Sequence, residues 1–149
     1  MKHKHYVRLF FMAALSFASM YVLMYAMVNT TSNIHFNFNQ TYMAGLMTAP
    51  MLIIELALMG SMYEHKKLNI TILGASLALL IMCWTFIRQQ TAISDKQFLK
   101  SMIPHHASAI LMCERASLED VEIKELCKGI ISNQQGEIQR MNTKLRELK

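Results

Sequence analysis

Apolar side chains fall in three long unbroken runs, and a different rhythm follows them. The runs over residues 9–28 and 68–87 hold no charged residue, and the run over 42–63 holds only Glu55. The pattern predicts three membrane helices at about 7–28, 42–63 and 68–88. A run of about 20 residues at a rise of about 1.5 Å each matches a hydrocarbon core roughly 30 Å thick. A core helix of that length in a water-exposed protein would carry a polar stripe, which these runs lack. The first run exceeds the 7–15 apolar residues typical of a cleaved leader, and no small-x-small site clearly follows it, so an uncleaved span is expected.

After Arg88 the apolar positions recur at helical spacing. Ser94 with Gln97 three residues on reads as a capping box, which starts a helix expected to run to about Ala116. Pro104 lies inside it, frees the carbonyl of Lys100 and predicts a kink. Residues 117–120 read as a turn; Asp120 can cap a second helix ending near Leu148, and Glu122 suits its first turn. At about 100° per residue, Met102, His105, His106, Ala109, Met112 and Cys113 share one face. Cys127, Ile130, Ile131, Gln134, Ile138, Met141 and Leu145 share a face of the second helix. A hairpin turning near residue 120 sets Cys113 against Cys127, His106 against Gln134 and Met102 against Ile138, with Met141 one turn beyond. Gln134 on an apolar face needs a polar partner, an imidazole or a water. The fold class is therefore all-α, with two regions: 1–88 for the three spans and 89–149 for the hairpin.

Composition sharpens the picture in two places. The chain holds 14 methionines in 149 residues, an excess of soft thioether sulfur. Its net charge of +5 comes mainly from Lys2, Lys4 and Arg8, with Lys66, Lys67 and Arg88 adding to it. Residues 89–149 carry nine Lys/Arg against eight Asp/Glu, so the basic face that nucleic acid requires is missing. The loop over 29–41 has no Lys or Arg, whereas the loop over 64–67 contains two lysines. Positive charge stays inside, which predicts a cytoplasmic N-terminus and an exported C-terminal region; Arg88, on the outer flank of the third span, runs against the trend.

Candidate chemistry concentrates in Met102-Ile103-Pro104-His105-His106 and in Met112-Cys113. Imidazole and thioether donors crowded together suit monovalent copper. His106 and Met102 are the leading ligands, then His105 and Met141, with Met112 behind. Each methionine taken singly also reads as core packing, and the two rings of a His-His pair point about 100° apart, so one cation does not take both. Cys113 and Cys127 have three readings, a disulfide, a pair of thiolate ligands or small core residues. Met43, Met47 and Met51 recur every four residues on the second span near Glu55 and form a candidate relay for Cu(I), the alternative being packing or lipid contact. His35 in the first loop could add a ligand.

The segment Phe98-Leu99-Lys100-Ser101-Met102-Ile103-Pro104-His105-His106 resembles the signature of domain-of-unknown-function family 305. Asp120, Glu122-Ile123, Leu126, Ile130-Ile131, Gln134-Gln135, Glu137-Ile138 and Met141 fit the same pattern, over roughly residues 90–148. The resemblance implies a ferritin-like fold in which helical hairpins build four-helix bundles, with some members binding copper in the periplasm. Three preceding spans look like a membrane-anchored branch. One hairpin buries little core, so the expectation is a homodimer completing a four-helix bundle.

The expected protein is a non-enzymatic copper-binding protein of a bacterial inner membrane, its C-terminal domain periplasmic. It would capture or buffer Cu(I), with silver competing, and exchange it with envelope copper-handling proteins. One alternative is an interaction or signalling subunit without metal. Another is a ferritin-like di-metal oxidoreductase, which wants Glu-x-x-His motifs that the chain lacks, leaving Glu114 and Glu137 as the carboxylates near the histidines.

Overall fold

The computed structural model describes residues 2–148, with side chains over 4–148. Five α-helices form, α1 Lys2–Leu23, α2 Phe38–Leu58, α3 Lys66–Gln89, α4 Asp95–Arg115 and α5 Val121–Glu147, and no strand occurs among the described residues. The segments Lys4–Met27, Phe38–Leu58 and Lys66–Gln89 are long and apolar enough to cross a membrane. The second ends about five residues before the sequence pattern stops, because Gly60–Met62 turns as a short 3₁₀ helix. The chain divides into two compact units, Met1–Leu23 with Asn39–Thr91, and Met24–Phe38 with Ala92–Lys149. The boundary expected at residues 88/89 is thus incomplete: residues 24–38 belong with the hairpin.

In the first unit α2 buries a face of small residues, Ala44, Gly45, Thr48 and Ala49. Small side chains let helix backbones approach where no hydrophobic effect drives them together. A Cβ on Gly45 would stand 2.8 Å from Cys83 Sγ, so α3 passes too close for any larger residue without a shift. The hydroxyl of Thr48 donates within its helix to the Ala44 carbonyl at 2.8 Å and lies 3.7 Å from Met20 Sδ. Leu9, Leu56 and Tyr63 form a second contact zone with Tyr6, Leu52 and Ile72 against it. Large apolar side chains such as Phe10, Leu15, Ile70 and Trp84 face outward, as a lipid solvent permits.

In the second unit α4 and α5 pair as the expected hairpin, each within a residue or so of its predicted end. Asp120 caps α5, its Oδ1 accepting from Ile123 N–H at 3.0 Å. A disulfide joins Cys113 to Cys127 beside the turn, with Cα atoms 5.3 Å apart. Closing a loop of this length contributes about 3 kcal/mol in the chain-entropy account. The predicted capping box does not form: Ser94 makes no side-chain cap, and Gln97 Oε1 instead accepts from Phe38 N–H at 3.1 Å. The loop thereby docks on α4. Asn37 Nδ2 donates to the Lys100 carbonyl at 3.4 Å, the group that Pro104 deprives of its helical partner, and α4 continues unbroken through the proline. Val28 packs on the core of Ile103, Ala107, Ile110 and Ile138, together with Ile131, Met141 and Leu145.

That loop rotates the buried face of α4. Ile103, Pro104, His106, Ala107 and Ile110 are inside, while His105 and Met112 are exposed and Met102 and Ala109 are half-buried. The expected stripe of 102, 105, 106, 109, 112 and 113 considered α5 as the only partner. Two flanks are covered, so the isoleucines go in and the face turns by about one residue.

Candidate functional site

His106 lies at 9% exposure between the two hairpin helices. Pro104, buried two residues earlier, and Ala107 and Ile110 after it fix this turn of α4. The ring is held at both nitrogens. Nδ1 is 2.9 Å from the Met102 carbonyl, and since a carbonyl only accepts, Nδ1 carries the proton. Nε2 lies 2.7 Å from Glu137 Oε2 on α5. One proton bridges that contact, borne by the ring or by the carboxyl. Glu137 is anchored by buried Ile138 next to it, while its own side chain is half open to solvent.

The expected facing pairs are only partly met. Cys113 does face Cys127, but His106 meets Glu137 rather than Gln134, a register displaced by about one turn. Gln134 Oε1 is buried with no hydrogen-bond partner, so the imidazole expected for it is spent elsewhere. Glu137, weighed in the sequence only as a carboxylate for a di-metal enzyme, is the contact that a hydrophobic register could not reveal.

Of the other candidate ligands, His105 packs edge-on to His106 with ring centroids 6.0 Å apart, but on the exposed flank. Met102 is half-buried one turn before His106, and Met141 packs against the apolar core. Met112, 52% exposed, points away from the hairpin core. The disulfide takes Cys113 and Cys127 out of the ligand set in this redox state, because a disulfide sulfur lacks the thiolate charge. Among the described residues no three His, Cys, Asp or Glu side chains cluster closely enough to hold a metal.

In the first unit Met43 and Met47 are exposed and Met51 is half-buried, so the three do not line an interior path. Met20, at Thr48, and Met12, packed against the cluster of Leu9, Leu56 and Tyr63, face inward. Glu55 stands in the last turn of α2, one turn from its end, where Oε1 accepts from the Tyr63 hydroxyl at 3.1 Å. Through its backbone carbonyl, Tyr63 also joins a network near the chain's basic loop. Tyr6 donates to Asn69 Oδ1 at 2.8 Å, and Asn69 Nδ2 donates to the Tyr63 carbonyl at 2.8 Å. Glu55 therefore has a structural partner.

His35, from the docked loop, makes a side-chain hydrogen bond with Asn142 of α5, yet its Nε2 is buried without a partner. Burial, and then the positive charge of Lys100, hold its pKa below the ordinary value. Nothing in the sequence marked it as a seam residue, since the docking of its loop is a long-range event.

The family model Domain of unknown function (DUF305) matches residues 85–145, which contain α4 and most of α5. The "Uncharacterized protein L153" of Acanthamoeba polyphaga mimivirus is 37% identical over 123 residues, 81% of this chain and 79% of that protein. No solved structure matches. The region matched by the family model contains the histidine-bearing α4 and most of α5, and the chain belongs to the Domain of unknown function (DUF305) family.

Proposed function

We propose that the protein is a membrane-anchored binder of monovalent copper, with His106 as its primary ligand and no catalytic role. The observation that carries the reading is the fixed tautomer of His106. A ligating histidine characteristically donates its other ring N–H to a carbonyl or carboxylate, which orients the ligating lone pair. His106 has that arrangement, with Nδ1–H on the Met102 carbonyl and Nε2 directed at α5. Glu137 would yield Nε2 to the cation. Met102, one turn before His106, and Met141, one turn after Glu137, are the thioethers available to a soft ion, with His105 beside them. Loading releases the bridging proton, so binding weakens in acid.

Orientation is part of the reading. The loop over 24–38 packs on the hairpin, which requires both to lie on one side of a membrane. A persistent disulfide favours an oxidising compartment, and the basic loop over 64–67 favours the cytoplasm. Together these support an exported hairpin on a membrane anchor; in the proposed reading the membrane is a bacterial inner membrane, the metal domain is periplasmic, a second copy completes the bundle and envelope proteins exchange the copper.

A second reading has its own observation. His106 and Glu137 satisfy each other, as a metal-free docking module would arrange them. Titration of the purified full chain in detergent with Cu(I) against a chromophoric competitor separates the two. Submicromolar binding, weakened roughly 10–100-fold by His106→Ala and also by Met102→Ala with Met141→Ala, with silver competing, is the expected result. Affinity unchanged in both variants would leave the docking module.

A further inference from the structure

We infer that Cys113 and Cys127 form a second soft-cation site, closed while they are joined and opened by reduction. It stands apart from the His106 reading. Seven residues, about 10 Å along α4 at about 1.5 Å each, separate Cys113 from His106, so the two do not share an ion.

Three features of the hairpin's turn end support it. The cysteines come from different helices whose Cα atoms are 5.3 Å apart, and the shared core of Ile103, Ala107, Ile110 and Ile138 joins those helices independently of the S–S bond. Both cysteines are half-buried and line a surface groove of about 340 Å³ with Leu118, Val121, Lys124 and Lys128, so a reagent can reach them. Lys124 and Lys128 line the same groove, with Lys128 Nζ bonding Glu125 at 3.0 Å. Two thiolates at about 2.3 Å from one metal ion need sulfurs roughly 4 Å apart. Rotating the two side chains about χ1 supplies that spacing with the helices in place. Two thiolates, in a groove whose lining carboxylate Glu125 bonds Lys128, favour a monovalent soft ion over a divalent hard one.

The chemistry balances with a dithiol reductant, either a small molecule or a thiol-disulfide exchange protein. Its thiolate attacks one sulfur of the bridge, the Cys113–Cys127 bond breaks, and a mixed disulfide forms. Its second thiol resolves that intermediate. The reductant leaves as a disulfide, having supplied two electrons and two protons, and the protein holds two thiols. Binding one Cu(I) or Ag(I) then releases those two protons. The pair thus reports the redox state of its compartment as a change in soft-metal capacity.

The test uses the full chain in detergent with Cys83→Ala, which removes the one other thiol, compared oxidised and after anaerobic reduction and desalting. Ag(I) or Cu(I) is titrated against a chromophoric competitor. The reduced sample should take one equivalent more than the oxidised one and, with Cu(I), show sulfur-to-metal absorption in the near ultraviolet. Cys113→Ser with Cys127→Ser should lose that equivalent, and His106→Ala should retain it. Equal stoichiometry in oxidised and reduced samples, or an extra equivalent that survives the double serine change, overturns the inference. Loss of binding only in His106→Ala would instead fail this site while leaving the His106 reading intact.

Discussion

His35 places an imidazole where a proton is unwelcome. Its Nε2 is buried without an acceptor, and Lys100 on α4 adds a repulsive positive charge, while Asn142 on α5 partly offsets both. The folded chain therefore holds the ring below its ordinary value of 6.5. As pH drops, the unfolded chain takes up the proton first. The stability that neutral His35 contributes is complete above about pH 6.5 and is lost progressively below it, until the folded ring also protonates. His35→Gln should flatten the fall in melting temperature between about pH 7 and pH 5; an identical fall in both proteins would show that the ring is not the titrating group. This histidine and His106 illustrate what single residues disclose. The Met-x-Pro-His-His string identified His106 as special without knowing its partner. Glu137 and Asn142 became visible only once the helices were set in register.

At the scale of elements, the existence of the helices and the ends of α4 and α5 were legible, because period and turn signals are local properties, whereas α2 stops about five residues short of its apolar run. The face of α4 was not legible, because it depends on a loop some sixty residues earlier in the chain. Pro104 is where the two meet. Its ring strips the Lys100 carbonyl of a helical donor, and Asn37 Nδ2 takes that acceptor at 3.4 Å while also holding the His35 carbonyl at 2.9 Å. Asn37→Ala should cost about 1–3 kcal/mol, the penalty for leaving buried polar groups unpaired. In Pro104→Ala the helix supplies its own N–H, so Asn37→Ala should cost less there, with a coupling of about 0.5 kcal/mol or more in a double-mutant cycle followed by chemical denaturation. Additive costs would mean that loop and proline are independent. The failed capping box has the same origin: Gln97 serves the Phe38 amide of the loop rather than the start of its own helix.

At the scale of the whole molecule, the loop between the first two spans is a third piece of the extramembrane unit, and the sequence hid this by its lack of periodicity. A region cut at residue 89 contains both hairpin helices and all the candidate ligands of the His106 site, yet it omits Val28, His35 and Asn37. Full burial of a Val side chain is worth about 1.5–3 kcal/mol, partly buried Val28 contributes a share of that, and the two polar residues add their own contacts. For a hairpin of about 60 residues, whose core is small to begin with, that is a large share of the net stability. A fragment of residues 89–149 should therefore melt broadly, bind a hydrophobic dye and exchange the amides of Ile103, Ala107 and Ile110 readily, even with the disulfide closed. Linking residues 24–38 to it through a flexible spacer should restore a cooperative transition and protect those amides. If the bare fragment is already cooperative and protected, the loop is ornament rather than core, and the rotated face of α4 requires another cause.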